Sequence, residues 1–179
     1  MLVKKIKYDY DVNALNSIVM PYLSTDLAVR MDGISIQHRT GVDIPWNLID
    51  GLESLSIYGN AVKTSDFQHV NTLFKYTILE DIIKKFNLYR TRIMILEAGK
   101  CYSLHADKNY RFHIPIVTND KCFFYFPETQ ENFVLEQSCV YIVNTTRMHT
   151  FINASKQQRV HLVGDILDAN INVDQPNQY

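Results

Sequence analysis

The chain has 179 residues, 46% of them hydrophobic and 21% charged, with 18 Lys plus Arg against 19 Asp plus Glu and a formal charge of −1 at pH 7. That size and balance fit one globular domain, which hides roughly 70% of the surface its unfolded form exposes and needs no disulfide or structural metal to hold together. Near-neutrality without any run of five like charges disfavours a duplex-coating or polybasic mode, so no nucleic acid and no membrane is expected as a partner, and a small specific ligand is.

The amino-terminal MLVKKIKYDYDVNAL interrupts its apolar residues with Lys4, Lys5, Lys7, Asp9 and Asp11, which leaves no apolar core for a secretory signal. Cys101, Cys122 and Cys139 are odd in number and widely spaced, so reduced thiols and a cytoplasmic location are expected. VNALNSIVMPYL predicts a short helix stopped near Pro21, and GISIQHR a strand with Ile34, Ile36 and His38 on one face. SDFQHVNTLFKYTILEDIIKKF carries Phe67, Val70, Phe74, Ile78, Ile82 and Phe86 at spacings of three and four, which predicts a long helix with Ser65 or Asp66 as its N-cap.

From Thr91 the pattern changes to short apolar or alternating runs: RIMILEAG, CYSLHAD, YRFHIPIV, CFFYFP, NFVLE, SCVYIVN, MHTFIN and RVHLVGDIL. Many short strands with tight connections predict a mostly β (α+β) jelly roll buttressed by the helices of the first half. Residues 1–179 then form a single domain, with 1–90 a helix-rich support that has a possible part in substrate selection. Residues 91–166 form the jelly-roll core and 168–179 a loose tail.

The strand half holds four of the six histidines, at 105, 113, 149 and 161, with Arg111, Arg147 and Arg159 among them. His105 and Asp107 are two apart, so on an extended segment an imidazole and a carboxylate point to one face and can grip one ion. His149, on another run, can complete a triad of two neutral imidazoles and one carboxylate. That is the ligand set of non-haem Fe(II) oxygenases, although a Zn or Mn cupin-type enzyme could use similar donors. Arg159, ten residues after His149, would pair bidentately with a dicarboxylate co-substrate. Alternation sets Arg111 with His113, and Arg159 with His161, opposite the apolar residues between them, so each strand has a polar line turned inward and an apolar line turned to the helices. If 147–151 is extended, Arg147 shares the face of His149 at the barrel mouth, where it would hold the α-carboxylate of a substrate; an ordinary ion pair with a surface acid is the plain alternative.

The order HAD, RFHIPIVTN, VNTTRMHTFIN and RVHLVGDI resembles the aspartyl/asparaginyl β-hydroxylase-like family of Fe(II)- and 2-oxoglutarate-dependent dioxygenases, whose core bacterial free-proline hydroxylases share. The resemblance runs over roughly residues 90–166 and implies a double-stranded β-helix, cupin-like in form. It implies His105, Asp107 and His149 as iron ligands and Arg159 as the anchor for the distal carboxylate of 2-oxoglutarate. Arg111 and His113 match the family's R-x-H positions near the co-substrate's other end, and O2 is the remaining reactant. The mammalian-type aspartyl hydroxylases have Gly where this chain has Asp107, so the sequence looks closer to the hydroxylases of free amino acids than to those of peptidyl Asp, Asn or Pro. A non-enzymatic jelly-roll binding or assembly module is the chief rival, and a nucleic-acid demethylase is disfavoured by the absence of a basic, aromatic-interleaved stretch.

Overall fold

A computed structural model describes residues 1–25, 32–42, 48–52, 57 and 61–167. The predicted tail at 168–179 lies outside the described residues. Among the described residues, eleven strands and two α-helices run in the order β1 (Val3–Ile6), α1 (Val12–Leu23), β2 (Gly33–Ser35), β3 (Gln37–Arg39), β4 (Phe67–Val70), α2 (Ile78–Phe86), β5 (Tyr89–Leu96), β6 (Tyr110–Val117), β7 (Cys122–Phe126), β8 (Glu131–Val134), β9 (Val140–Val143), β10 (Thr150–Asn153) and β11 (Arg159–Ile166).

Two antiparallel sheets make a double-stranded β-helix. The larger has the order β1-β9-β6-β11-β5-β2, the smaller β10-β7-β8, and a separate ribbon joins β3 to β4. The amino-terminal part is therefore more than a helical support, since β1 and β2 supply both edges of the larger sheet.

Strand alternation divides the burial between two cores. On the outer face of the large sheet, Ile93, Ile95, Phe112, Ile114, Ile116, Val160 and Leu162 pack against Leu15 and Val19 of α1 and Leu79, Ile82 and Ile83 of α2. Burying each such side chain contributes about 1.5–3 kcal/mol, so this face is what fastens the helices to the sheet. Between the sheets, Leu96, Phe124, Phe126, Leu135, Tyr141, Val143 and Phe151 form a smaller core. The polar line on β5, β6 and β11 shares that inner space, as the alternation requires.

Two elements differ from expectation. Helix α1 runs through Pro21 to Leu23. A proline in the last turn forfeits only one backbone bond, and Leu23 is buried in the main core. The long helix over 65–86 is absent. Thr64–Asp66 is a 3-10 turn in which Asp66 accepts the Lys63 N–H at 2.7 Å, Phe67–Val70 is β4, and only Ile78–Phe86 is α-helical. Asn71 accepts the Leu73 N–H at 3.1 Å, and Tyr76 has φ +61°, which no helix passes through. Helix α2 then starts at Thr77 and stops at Asn87 in the left-handed region, with Glu80 and Asp81 in its first turn and Lys84 and Lys85 in its last, as the helix dipole favours. Likewise GISIQHR is two strands with a bend at Ile36, although Ile34, Ile36 and His38 are all buried. No helix among the described residues is long and apolar enough to cross a membrane.

Candidate metal centre and cavity

His105 and Asp107 stand on the connection between β5 and β6, and His149 immediately precedes β10. CYSLHAD is not a strand; it meets the small sheet through isolated bridges, Cys101 to Ile152 and His105 to His149, and through the Thr150 hydroxyl, which donates to the Tyr102 carbonyl at 2.7 Å. The His105 N–H donates to the His149 carbonyl at 3.0 Å and the His149 N–H to the His105 carbonyl at 2.8 Å, while the Asp107 N–H donates to Thr145 at 2.8 Å. These backbone bonds hold three distant residues in one place, so that a ligand atom from each lies within 4.8 Å of the other two.

The ring nitrogens divide their work. His105 Nδ1 lies 2.6 Å from the Ser103 carbonyl and His149 Nδ1 lies 2.9 Å from the Arg147 carbonyl. A carbonyl can only accept, so both Nδ1 atoms carry the proton and both Nε2 atoms present a lone pair. Asp107 lies between them, with Oδ1 3.8 Å from His105 Nε2 and Oδ2 3.8 Å from His149 Nε2. Burial pushes the His149 imidazole below its ordinary pKa and keeps it neutral, the form that ligates a metal. Asp107 Oδ2 is buried with no hydrogen-bond partner. Two bare Nε2 atoms and an orphaned carboxylate oxygen on one side of a cavity fit a divalent cation and leave part of its coordination sphere open.

The cavity, about 1040 Å³, lies between the two sheets. Arg111 and His113 of β6 and Arg159 of β11 line it, as the alternation predicts. The Arg111 guanidinium donates to Asp107 Oδ1 at 2.7 Å and so steadies the ligand carboxylate. Arg159 is buried, with Nη1 3.4 Å from the Met94 carbonyl, its guanidinium 4.2 Å from the centre of the Phe151 ring, and Nε without a partner. Its burial lowers its pKa from the usual value. His113 and His161 meet through their Nδ1 atoms at 3.4 Å, so one ring donates and the other accepts. Burial first, and then the Arg159 charge, holds both far below the ordinary histidine pKa, hence neutral. His161 stands behind His113 against Phe151 and does not line the cavity.

Arg147 is a correction. Residues 145–148 turn and are not extended, and the exposed Arg147 side chain pairs with Glu128 at 2.5 Å, outside the cavity lining. The same-face argument needed an extended segment there, and the turn that sets His149 against His105 removes it. The sequence reading also passed over three cavity groups. Arg90 and Arg92 of β5 and Asp165 of β11 line the cavity. An alternation count carried back from Met94 and forward from Arg159 would have reached Arg92 and Arg90 on one strand and Asp165 on the other.

Residues 43–169 match the family model described as aspartyl/asparaginyl beta-hydroxylase. No curated protein sequence matches the chain. Among solved structures, the chain is similar to a viral collagen prolyl hydroxylase of Paramecium bursaria Chlorella virus-1, with 7% identity over 93% of this chain and 97% of that one and a TM-score of 0.48. It is similar to an oxidoreductase of the 2OG-Fe(II) oxygenase family from Burkholderia pseudomallei, with 15% identity over 44% of this chain and 41% of that one and a TM-score of 0.38. A cupin domain from Bordetella pertussis Tohama I gives 18% identity over 44% of this chain and 81% of that one, with a TM-score of 0.39.

Proposed function

The chain belongs to the aspartyl/asparaginyl beta-hydroxylase family, and on that premise we propose that it is an Fe(II)- and 2-oxoglutarate-dependent dioxygenase that hydroxylates an amino acid side chain, with the free amino acid as its substrate. The observation that carries the reading is the donor set: two Nδ1-protonated imidazoles and a partnerless Asp107 oxygen, all within 4.8 Å of one another. His105, Asp107 and His149 would hold the iron, whose chemistry when bound is the activation of O2 at the expense of 2-oxoglutarate.

The chain's own residues bind, orient and exclude water. Arg159 would hold the distal carboxylate of 2-oxoglutarate, its unpartnered Nε and its setting against Phe151 giving a fixed, dry fork for an anion. His113 Nε2 lines the same space without a partner. With His161 donating from Nδ1, His113 keeps its proton on Nε2 and can donate it to the co-substrate's other end, beside Arg111. Phe124 and Phe151 wall the cavity and keep water from the reacting groups. Asp107, the ligand that mammalian-type relatives lack, supports a free amino acid over a peptide. A reducing, cytoplasmic setting belongs to the same reading and suits the free thiols of Cys101, Cys122 and Cys139.

Titrating 2-oxoglutarate into the anaerobic Fe(II) protein tests this through the metal-to-ligand charge-transfer band. Wild type should give a saturable band. Arg159→Ala should weaken 2-oxoglutarate binding about thirtyfold or more, since losing one side of a buried charge pair costs about 2–5 kcal/mol. No band in wild type would overturn the reading, and unchanged affinity in Arg159→Ala would remove that residue from the co-substrate site.

A further inference from the structure

One end of the cavity gathers Arg90, Arg92 and Arg111 around Asp165. Arg92 is 2% exposed, and its only hydrogen bond runs from Nη1 to the Gly51 carbonyl at 3.4 Å. Its Nε and Nη2 are buried without a hydrogen-bond partner. Those two atoms form the side-on edge of the guanidinium, the edge whose parallel N–H bonds match a carboxylate bidentately. Among the described residues Asp165 is the carboxylate beside it, and it is shared: Asp165 stands 3.9 Å from Arg92 Nη2, 3.8 Å from Arg90 Nη1 and 3.3 Å from Arg111 Nε, and Arg111 also engages Asp107. Burial, and then the charge of Arg90, pushes Arg92 down to about 9, so it is still a cation at neutral pH.

We propose that the free edge of Arg92, flanked by Arg90 and Asp165, is the subsite for a carboxylate of the substrate; the inference rests on the hydroxylase reading above and names the substrate class for that same cavity. A buried donor edge left without a hydrogen-bond partner is costly, and a carboxylate is the anion its geometry fits. The two arginines meet different partners: Arg159 reaches the Met94 carbonyl, whereas Arg92 reaches the Gly51 carbonyl and Asp165. The chain Asp107–Arg111–Asp165–Arg92 links this subsite to the metal ligands, which places a carboxylate-anchored substrate beside them. The role expected of Arg147 thereby passes to a residue inside the cavity.

The test follows the Arg92 Nε–H resonance in 15N-labelled full-length protein, assigned by its loss in Arg92→Lys, both metal-free and loaded anaerobically with Fe(II) and 2-oxoglutarate. Three probes are titrated: a pool of neutral free amino acids, the same pool as α-amides, and N-acetyl-L-aspartate methylamide, whose sole carboxylate is in the side chain. The free pool should shift the resonance and the amides should not, with affinity falling about tenfold or more in Arg92→Gln. A shift with the aspartate probe alone also supports the subsite and makes the carboxylate that of a peptidyl side chain. No shift with any probe, or an equal shift with the amides, overturns the proposal. So does Arg92→Gln lowering 2-oxoglutarate affinity as far as Arg159→Ala does. Failure of the hydroxylase reading shows separately, as the missing charge-transfer band in wild type.

Discussion

Each side chain of the candidate metal centre is set by a second contact. His105 and His149 are usable because a carbonyl takes each Nδ1–H, and Asp107 is steady because Arg111 holds its other oxygen. Even outer partners of this kind are worth about 10–100-fold in metal affinity, so losing Asp107 itself should cost more. Asp107→Ala should weaken Fe(II) binding by at least about tenfold in calorimetric titration; affinity within twofold of wild type would deny it a ligand's part. The clustering of His105, Asp107 and His149 and the inward position of Arg159 were legible in the sequence, the first from ligand chemistry, which depends on residue type, and the second from period-two alternation along β11. Arg147 was misjudged because whether residues 145–148 turn or extend is decided by the bridge to His105, a contact made across more than forty residues. The buried pair His113 and His161 has a consequence for stability. Both stay neutral in the folded protein, whereas in the unfolded chain each takes a proton near about pH 6.5. Below that pH the unfolded state binds more protons, so stability falls as pH falls, by up to about 1.4 kcal/mol per pH unit for each histidine. Urea unfolding between about pH 6.5 and 5 should show this acid slope, and His161→Gln should reduce it. An identical slope in the variant would mean that His161 is not buried neutral.

At the scale of elements, seven of the eight apolar runs after residue 90 contain strands of the two sheets, because each pairs through its own alternation. CYSLHAD is the exception, and it became a ligand-bearing connection tied down at two bridges. The helix expected over 65–86 shows where periodicity misleads. Phe67, Phe74 and Ile82 are all buried, so the apolar spacing was real, but β4, a 3-10 turn and α2 bury them one after another. Asn71 and Tyr76 carried the break, and their turn chemistry is weaker in sequence than a run of apolar spacings. The edge strand β2 depends on one close approach. A Cβ on Gly33 would lie 2.2 Å from the Ile93 carbonyl oxygen across the β2–β5 pairing. Gly33→Ala should therefore destabilise the fold by about 1–3 kcal/mol, seen as a lower urea midpoint. A wild-type midpoint would mean that β2 can leave the sheet at no cost.

Over the whole molecule, the two faces of the large sheet have separate tasks. The outer face fixes α1 and α2 through aliphatic packing, and this lets the inner face carry four arginines and two neutral histidines that a lone sandwich could not bury. The charge is spread over the cavity, with Arg159 beside Met94, Arg90 and Arg92 beside Asp165, and the candidate ligand Asp107 joined to the latter pair through Arg111 and Asp165. Such an interior suits two anionic reactants held on either side of a dication. The most direct measurement is turnover: the purified protein with Fe(II), 2-oxoglutarate, O2 and a pool of free amino acids, read for succinate and for products one oxygen heavier. Wild type should form succinate in step with a single hydroxylated amino acid, and His149→Ala should form neither. Succinate formation unchanged in His149→Ala, or a wild-type protein that consumes no 2-oxoglutarate with any member of the pool or with peptidyl aspartate, would contradict the account.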